Sequence, residues 1–324
     1  MRVASVADGS RDGALVVVDR TGRRFARASG VASTLQGALD DWAHAAPALR
    51  ASADALERGE VAAEPVERAT FLAPLPRAYE WIDGSAYLHH VRLVRRARGA
   101  ALPDDLETVP LMYQGGSGVL SGATDPLLAF DGSGPDFEGE IAVVVGDVAR
   151  GTTAERAVEH VRLLMLANDV TYRDWIPAEL ARGFGFLISK PATAFAPFAA
   201  TPDELGPAFR AGRAHLRLVC THHGADVGDL DTGGEMHFSF GDLIAHAAKT
   251  RSLVSGTIVG SGTVSNSDAS RGVACLAERR AREALAFGAP RTPYLRPGDS
   301  VRLEAFSADG RSIFGAIEQR VVPA

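Results

Sequence analysis

Five apolar residues, Ile141, Ala142, Val143, Val144 and Val145, run without a break and stop at Gly146. The run reads as a buried strand, so the chain must build a sheet with a core around it. Directly before it, D-F-E-G-E at 136–140 sets two glutamates, Glu138 and Glu140, two positions apart. Side chains two apart on a strand point the same way. At about 5 Å two carboxylates repel by roughly 3 kcal/mol at an effective dielectric near 20. Such a pair needs a shared proton, a cation between the two, or a place on a solvent-facing edge strand.

The rest of the chain surrounds that strand with more strands than helices. Residues 2–6, 14–19 and 23–28 are short β-rich runs joined by D-G-S-R-D-G and R-T-G turns, a small β-meander. Leu35, Leu39, Trp42, Ala46 and Leu49 recur at helical spacing and predict a helix over 34–58, stopped by Gly59. The Pro-rich stretch 64–76 is expected to link this small domain, 1–76, to a larger one, 77–324. There the patterning predicts helices over 87–98, 154–167 and 239–250, the last capped by Ser239. Strands are expected at 141–145, 215–220, 257–261, 300–304 and 313–320, the final two joined by an A-D-G-R hairpin turn. No regular βαβ alternation is present. The expected class is α+β: a mixed β-sandwich or β-roll with a few helices, after a small β-meander-plus-helix domain.

Composition narrows the function. Two cysteines in 324 residues, Cys220 and Cys275, argue against a disulfide framework and for a reducing compartment, so the cytoplasm is the expected location. The opening M-R-V-A-S-V-A-D-G-S carries no apolar signal core, and no apolar run approaches the ~18–20 residues of a membrane span. A net charge of −6 disfavours a nucleic-acid partner. The arginine cluster R-L-V-R-R-A-R at 92–98 is read as a helix face. Only two of the 34 basic residues are lysines, Lys190 and Lys249, so a lysine in an apolar context such as I-S-K-P-A is a notable choice.

Two more acidic residues accompany the glutamate pair. Asp169 follows Asn168 at the end of the apolar stretch 154–167, and Asp83 lies in W-I-D-G-S before the helix at 87–98. Alone, each reads as helix termination or a helix N-terminal charge. Together, four carboxylates without thiolates or a His-x-His pattern suit a hard divalent ion, Mg²⁺ or Ca²⁺, rather than Zn²⁺. His90 follows Asp83 by seven residues, two turns along the helix, so both can face one site; its neighbour His89 is the expected bystander.

D-G-S-A-Y-L-H-H at 83–90, D-F-E-G-E at 136–140 and N-D-V-T-Y-R-D at 168–174 stand in the order and spacing of the fumarylacetoacetate hydrolase family, which the chain resembles over about 77–324. The first 70 residues are similar to the small domain of longer members. The resemblance implies one Mg²⁺, or Ca²⁺ or Mn²⁺, bound by Asp83, Glu138, Glu140 and Asp169. It implies His90 as the general base, held by Glu278 of G-V-A-C-L-A-E on a later strand, with Lys190 as a fixed cation. Arg173, Tyr113, Thr263, Arg98 and Ser85 fall at substrate-facing positions. Ser85 departs from the animal-type pattern, which has Tyr there, and so does a further substrate-facing place, Ile176, where that pattern has Gln. The resemblance also implies a homodimer.

The expected activity is hydrolysis of a C–C bond in a 1,3-diketo acid, with fumarylacetoacetate as leading substrate and fumarate and acetoacetate as products of aromatic amino-acid breakdown. The alternative is a related activity on 2-oxo acids: an acylpyruvate hydrolase, an oxaloacetate decarboxylase, or a 2-oxo-enoate hydratase or isomerase. A Ca²⁺-binding β-sandwich without turnover, or a plain folded domain with surface acids, are the readings from other classes.

Overall fold

The computed structural model describes residues 1–28 and 30–324. The chain opens with β1 (Arg2–Val6), β2 (Ala14–Val18) and β3 (Arg24–Arg27), an antiparallel meander. The predicted helix over 34–58 is two helices, α1 (Leu35–Asp40) and α2 (Trp42–Arg58). Thr34 caps α1 by accepting from the Gly37 amide at 3.1 Å. Asp41 leaves helical geometry, at φ −128° and ψ 50°, and breaks the run, which restarts at Trp42 and ends at Gly59 with φ 72°. β4 (Glu64–Pro65) closes the meander. The Pro-rich stretch that follows is packed rather than free: the Leu72 amide donates to Ser5, and Ala73 and Leu75 are buried.

Then come β5 (Trp81–Gly84), α3 (Leu88–Ala97), β6 (Met112–Gly115), β7 (Leu127–Ala129), β8 (Gly139–Val145), β9 (Val161–Asn168), α4 (Ile176–Leu180) and β10 (Ala199–Ala200). β11 (Arg217–His222), β12 (Ala225–Asp231), α5 (Phe240–Ala247), β13 (Ile258–Gly260), α6 (Leu276–Phe287), β14 (Ser300–Phe306) and β15 (Ser312–Pro323) complete the list used below. An eleven-stranded mixed sheet runs β4-β3-β2-β1-β10-β9-β8-β13-β5-β6, with the short strand Ala194–Phe195 pairing β9 beside that path. A five-stranded sheet runs β12-β11-β14-β15-β7. The α+β class with mixed sheets and few helices is thus as expected. No helix among the described residues is long and apolar enough to cross a membrane.

One predicted element is wrong in kind. Residues 154–167 hold a single helical turn, Ala154–Ala157, and then strand β9. β9 pairs antiparallel with β8, Met165 opposite Ala142 and Asn168 opposite Gly139. All of β9 except Arg162 is buried. Where every position is apolar, helical and extended periods look alike, and only the partner strand decides. Asn168 and Asp169 therefore end a strand, not a helix. Ser239 caps α5 as expected, in a reciprocal box with Asp242.

Candidate metal centre and acid–base pair

Three strands bring their ends to one place. β8 is buried at all seven residues, so its register is fixed by the core, and the glutamates at its start have no freedom to slide outward. Antiparallel β9 delivers Asn168 and Asp169 beside them. The Glu138 amide donates to Asn168 Oδ1 at 2.9 Å, and the Asp169 amide donates to the Glu138 carbonyl at 3.0 Å. Asn168 Nδ2 in turn donates to Gln319 Oε1 at 2.8 Å, tying the site to the second sheet. Asp83 comes from β5, where its Oδ1 accepts from the Gly262 amide at 2.9 Å.

Asp83, Glu140 and Asp169 are buried, and each offers an oxygen within 4.8 Å of the other two. Tyr113 OH and Lys190 Nζ each donate to Asp169 Oδ2 at 2.6 Å, and Thr193 Oγ1 donates to Oδ1 at 2.6 Å. Both oxygens of Glu140 are buried with no hydrogen-bond partner among the described residues. Burial, and then the Asp169 charge, push the Asp83 carboxyl up to about 8; burial and then Asp83 push Glu140 well above its ordinary range. An all-oxygen set that includes an orphaned carboxylate fits a hard divalent cation. Glu138 faces the same space, but its oxygens are engaged by Arg173 Nη2 at 2.5 Å and Lys190 Nζ at 2.7 Å. Burial alone would raise Glu138; Arg173 and then Lys190 outweigh it and hold this carboxyl low.

His90, on α3, lies beside this cluster. Its Nδ1 is 3.2 Å from Glu278 Oε2, and Glu278 Oε1 accepts from Arg282 Nη2 at 2.6 Å. Glu278 is fully buried; burial opposes its ionisation, yet the His90 hydrogen bond and charge and then Arg282 keep it below the ordinary range. Glu278 belongs to the first turn of α6 and not to a strand. Cys275 caps that helix by accepting from the Glu278 amide at 3.4 Å, which fixes where the carboxylate points. His89 does not line the cleft.

A cleft of about 230 Å³ opens over these groups. Ser85, His90, Arg98, Tyr113, Lys190 and Thr263 line it, as do Ile176, Leu180 and Phe186 on an apolar wall. Arg98 ends α3 and has no carboxylate partner among the described residues. Arg173 reaches the cleft too, but its guanidinium is held between Asp136 and Glu138.

Residues 80–322 match the family model described as the fumarylacetoacetate (FAA) hydrolase C-terminal region, and residues 1–77 match fumarylacetoacetase N-terminal domain 2. The chain belongs to the fumarylacetoacetate hydrolase family. It is 28% identical over 255 residues to the mitochondrial oxaloacetate tautomerase Fahd2a of Rattus norvegicus, covering 72% of this chain and 75% of that one. Its fold is shared with the fumarylacetoacetate hydrolase of Exiguobacterium antarcticum, at TM-score 0.69, 18% identity and full coverage of both chains. It is shared equally with a maleylpyruvate hydrolase of Sphingobium sp. SYK-6 in complex with manganese(II) and pyruvate, at TM-score 0.67, 17% identity and full coverage of both.

Two participants in this family member were missed by sequence reasoning. Asp136 is buried and accepts from Arg173 Nε at 2.9 Å and from the Leu276 and Ala277 amides at 2.8 and 2.9 Å. A carboxylate at the first turn of α6 satisfies orphan amides and their positive end. It thereby joins the glutamate strand to the helix that carries Glu278. Thr193 is the second, three residues past Lys190, where the T of K-P-A-T was the only sequence signal.

Proposed function

We propose that this protein is a metal-dependent enzyme that hydrolyses the C–C bond of a 2,4-dioxo acid of acylpyruvate type, releasing pyruvate and a carboxylic acid. The observation that carries the reading is the buried Glu140 carboxylate, without a hydrogen-bond partner among the described residues, grouped with Asp83 and Asp169 beside the cleft that His90, paired to Glu278, lines. The relatives named for oxaloacetate and maleylpyruvate both point to 2-oxo acids. Ser85 and Ile176, where the animal-type pattern has Tyr and Gln, also weigh toward these over fumarylacetoacetate.

On this reading Asp83, Glu140 and Asp169, with Glu138 beside them, would hold Mg²⁺, Mn²⁺ or Ca²⁺, and an ion bound there would supply Lewis acidity toward the substrate's 2-oxo group. Glu278 accepts from His90 Nδ1, which fixes the tautomer and leaves Nε2 free as a base. His90 takes a proton from water, and the resulting hydroxide adds to the C4 carbonyl. The Lys190 ammonium, already ionised between Glu138 and Asp169, stabilises the oxyanion that develops. The C4 oxyanion then collapses to the carbonyl of the released acid, the C3–C4 bond breaks with its electron pair on C3, conjugated with the 2-oxo group, and C3 takes the proton that His90 holds, which restores the base. The unpaired guanidinium of Arg98 is placed to meet an anionic end of the substrate, and the wall of Ile176, Leu180 and Phe186 to exclude water.

Tautomerisation is the second reading, favoured by the sequence similarity to the rat oxaloacetate tautomerase. It uses the same base to move one proton between C3 and the enol oxygen, without a water nucleophile. A panel of acylpyruvates, fumarylacetoacetate and oxaloacetate, assayed with Mn²⁺ for pyruvate, fumarate and enol absorbance, tests both. Pyruvate release from an acylpyruvate, lost in His90→Ala, supports hydrolysis. Enol–keto exchange of oxaloacetate with no cleavage of any diketo acid replaces it by tautomerisation.

A further inference from the structure

Lys190 closes a surface segment that little else holds. Between α4 and Lys190 the chain exposes Phe184 at 101%, Leu187 at 79% and Ile188 at 56%. Gly183 and Gly185 have φ of 78° and 99°. Apolar burial therefore does not fix the path of residues 181–189. Phe186 alone turns inward, edge-on to Tyr113 with ring centroids 5.3 Å apart. The Tyr172 amide ties down the Ser189 carbonyl at 2.8 Å.

The main anchor is one carboxylate. Glu179, on α4, accepts from three consecutive amides: Leu187 at 3.0 and 3.1 Å to its two oxygens, Ile188 at 2.8 Å and Ser189 at 3.0 Å. The Ser189 hydroxyl donates to it as well. Glu179 is buried and has no ion-pair partner among the described residues, so converging backbone dipoles carry its charge. Burial pushes this carboxyl up, but the Ser189 hydroxyl and then the amides outweigh it and hold it at about 2, so the anchor is ionised at any working pH.

We propose that Glu179 is a positioning residue: its carboxylate latches residues 181–189 and so sets the Lys190 ammonium between Glu138 and Asp169. The inference rests on the role given above to Lys190. A glutamine at 179 keeps the size but brings one acceptor oxygen where two are used, and turns an NH₂ group toward N–H donors. At least one amide of 187–189 then loses its partner and the segment opens. Lys190 is the next residue in the chain, and its placement opens with it.

The chain's two lysines make this measurable without turnover. Lys249 is exposed and serves as internal reference, while the Lys190 side chain is 7% exposed and paired to two carboxylates. Metal-free protein is labelled with an amine-acetylating reagent and each site is followed by peptide mass spectrometry. In the wild type Lys190 reacts far more slowly than Lys249. In Glu179→Gln the Lys190 rate rises about tenfold or more while the Lys249 rate stays put. Ser189→Ala, which removes one of the bonds and keeps the carboxylate, gives a smaller rise and carries the test if the glutamine variant does not fold. An unchanged Lys190 rate overturns the latch; so does a parallel rise at both lysines, which marks general loosening. Where a substrate is in hand, Glu179→Gln lowers kcat by about 10²-fold, and causes no further loss on a Lys190→Met background. An equal loss on both backgrounds overturns action through Lys190. Failure of every 2-oxo acid to turn over would count against the proposed function alone, because the labelling ratio still decides the latch.

Discussion

A buried carboxylate with no partner costs several kcal/mol in its ionised form. Glu140 is such a group, beside two others. The folded-state pKa values of Asp83 and Glu140 lie above those of the unfolded chain, so the folded metal-free protein holds more protons. Its stability therefore falls as pH rises from the ordinary carboxylate range through about 8, the value for Asp83. In chelator, the melting temperature at pH 8 should lie below that at pH 5.5, and Glu140→Gln should narrow the gap and melt higher than wild type at pH 8. A metal-free melting temperature indifferent to both changes would show that these acids do not share one buried site. Added Mn²⁺ displaces those protons, so its stabilising effect should grow with pH. At His90 the expectation concerns rate: His90→Ala should lower kcat by about 10²–10⁴-fold with metal affinity nearly unchanged. A large loss of Mn²⁺ affinity in that variant, read by calorimetry, would make His90 a ligand instead of a base. Strand spacing alone puts Glu138 and Glu140 on one side, but the helical spacing read from Asp83 to His90 does not hold: Asp83 lies on β5 and α3 begins only at Leu88, so the fold and not one helix face brings His90 to the site. Asp136 was not legible, because the Leu276 and Ala277 amides it serves lie 140 and 141 residues away.

The elements hold the site through backbone contacts that no pattern of side chains reports. Strand β9 was read as a helix because its burial is nearly complete, and the register that sets Asp169 beside Glu138 exists only once β8 is its neighbour. Strand β13 shows the same dependence. A Cβ built on Gly260 would lie 2.3 Å from Asp83 Oδ1 and 2.4 Å from the Trp81 ring. Only a glycine lets the parallel strands β5 and β13 approach so closely at the carboxylate. Gly260→Ala should therefore cost about 1–3 kcal/mol and weaken Mn²⁺ binding through a displaced Asp83. A denaturant melt together with calorimetry checks this; unaltered metal affinity would mean that Asp83 is not a ligand. Two helix ends were the better-read features, the Ser239 cap and the Gly59 stop, since each acts within a few residues of itself.

Across the whole molecule, the first 77 residues and the remainder share one sheet. β1 pairs with β10, Arg2 opposite Ala200 and Val3 opposite Ala199. Leu35, Leu39, Leu49 and Leu56 pack in one core with Ala142, Val144, Leu163 and Met165, on the face of β8 and β9 opposite the main core. Removing residues 1–77 would uncover that apolar face and leave β10 as an open edge. The truncated chain should aggregate or lose cooperative melting; a soluble monomer with intact Mn²⁺ affinity would show the two parts to be energetically separate. That strands outnumber helices in a mixed α+β class could be read from the sequence, whereas this continuity and many of the strands could not, because short strands such as Ala199–Ala200 carry almost no pattern of their own.

The central claim is that Asp83, Glu140 and Asp169 hold one divalent cation per chain. Titration of Mn²⁺ into chelator-stripped wild type and Glu140→Gln, followed by calorimetry at pH 8, tests it most directly. One ion should bind per wild-type chain with proton release, and that binding should be lost in the variant. Equal stoichiometry and affinity in both proteins, or no binding to the wild type, would contradict it.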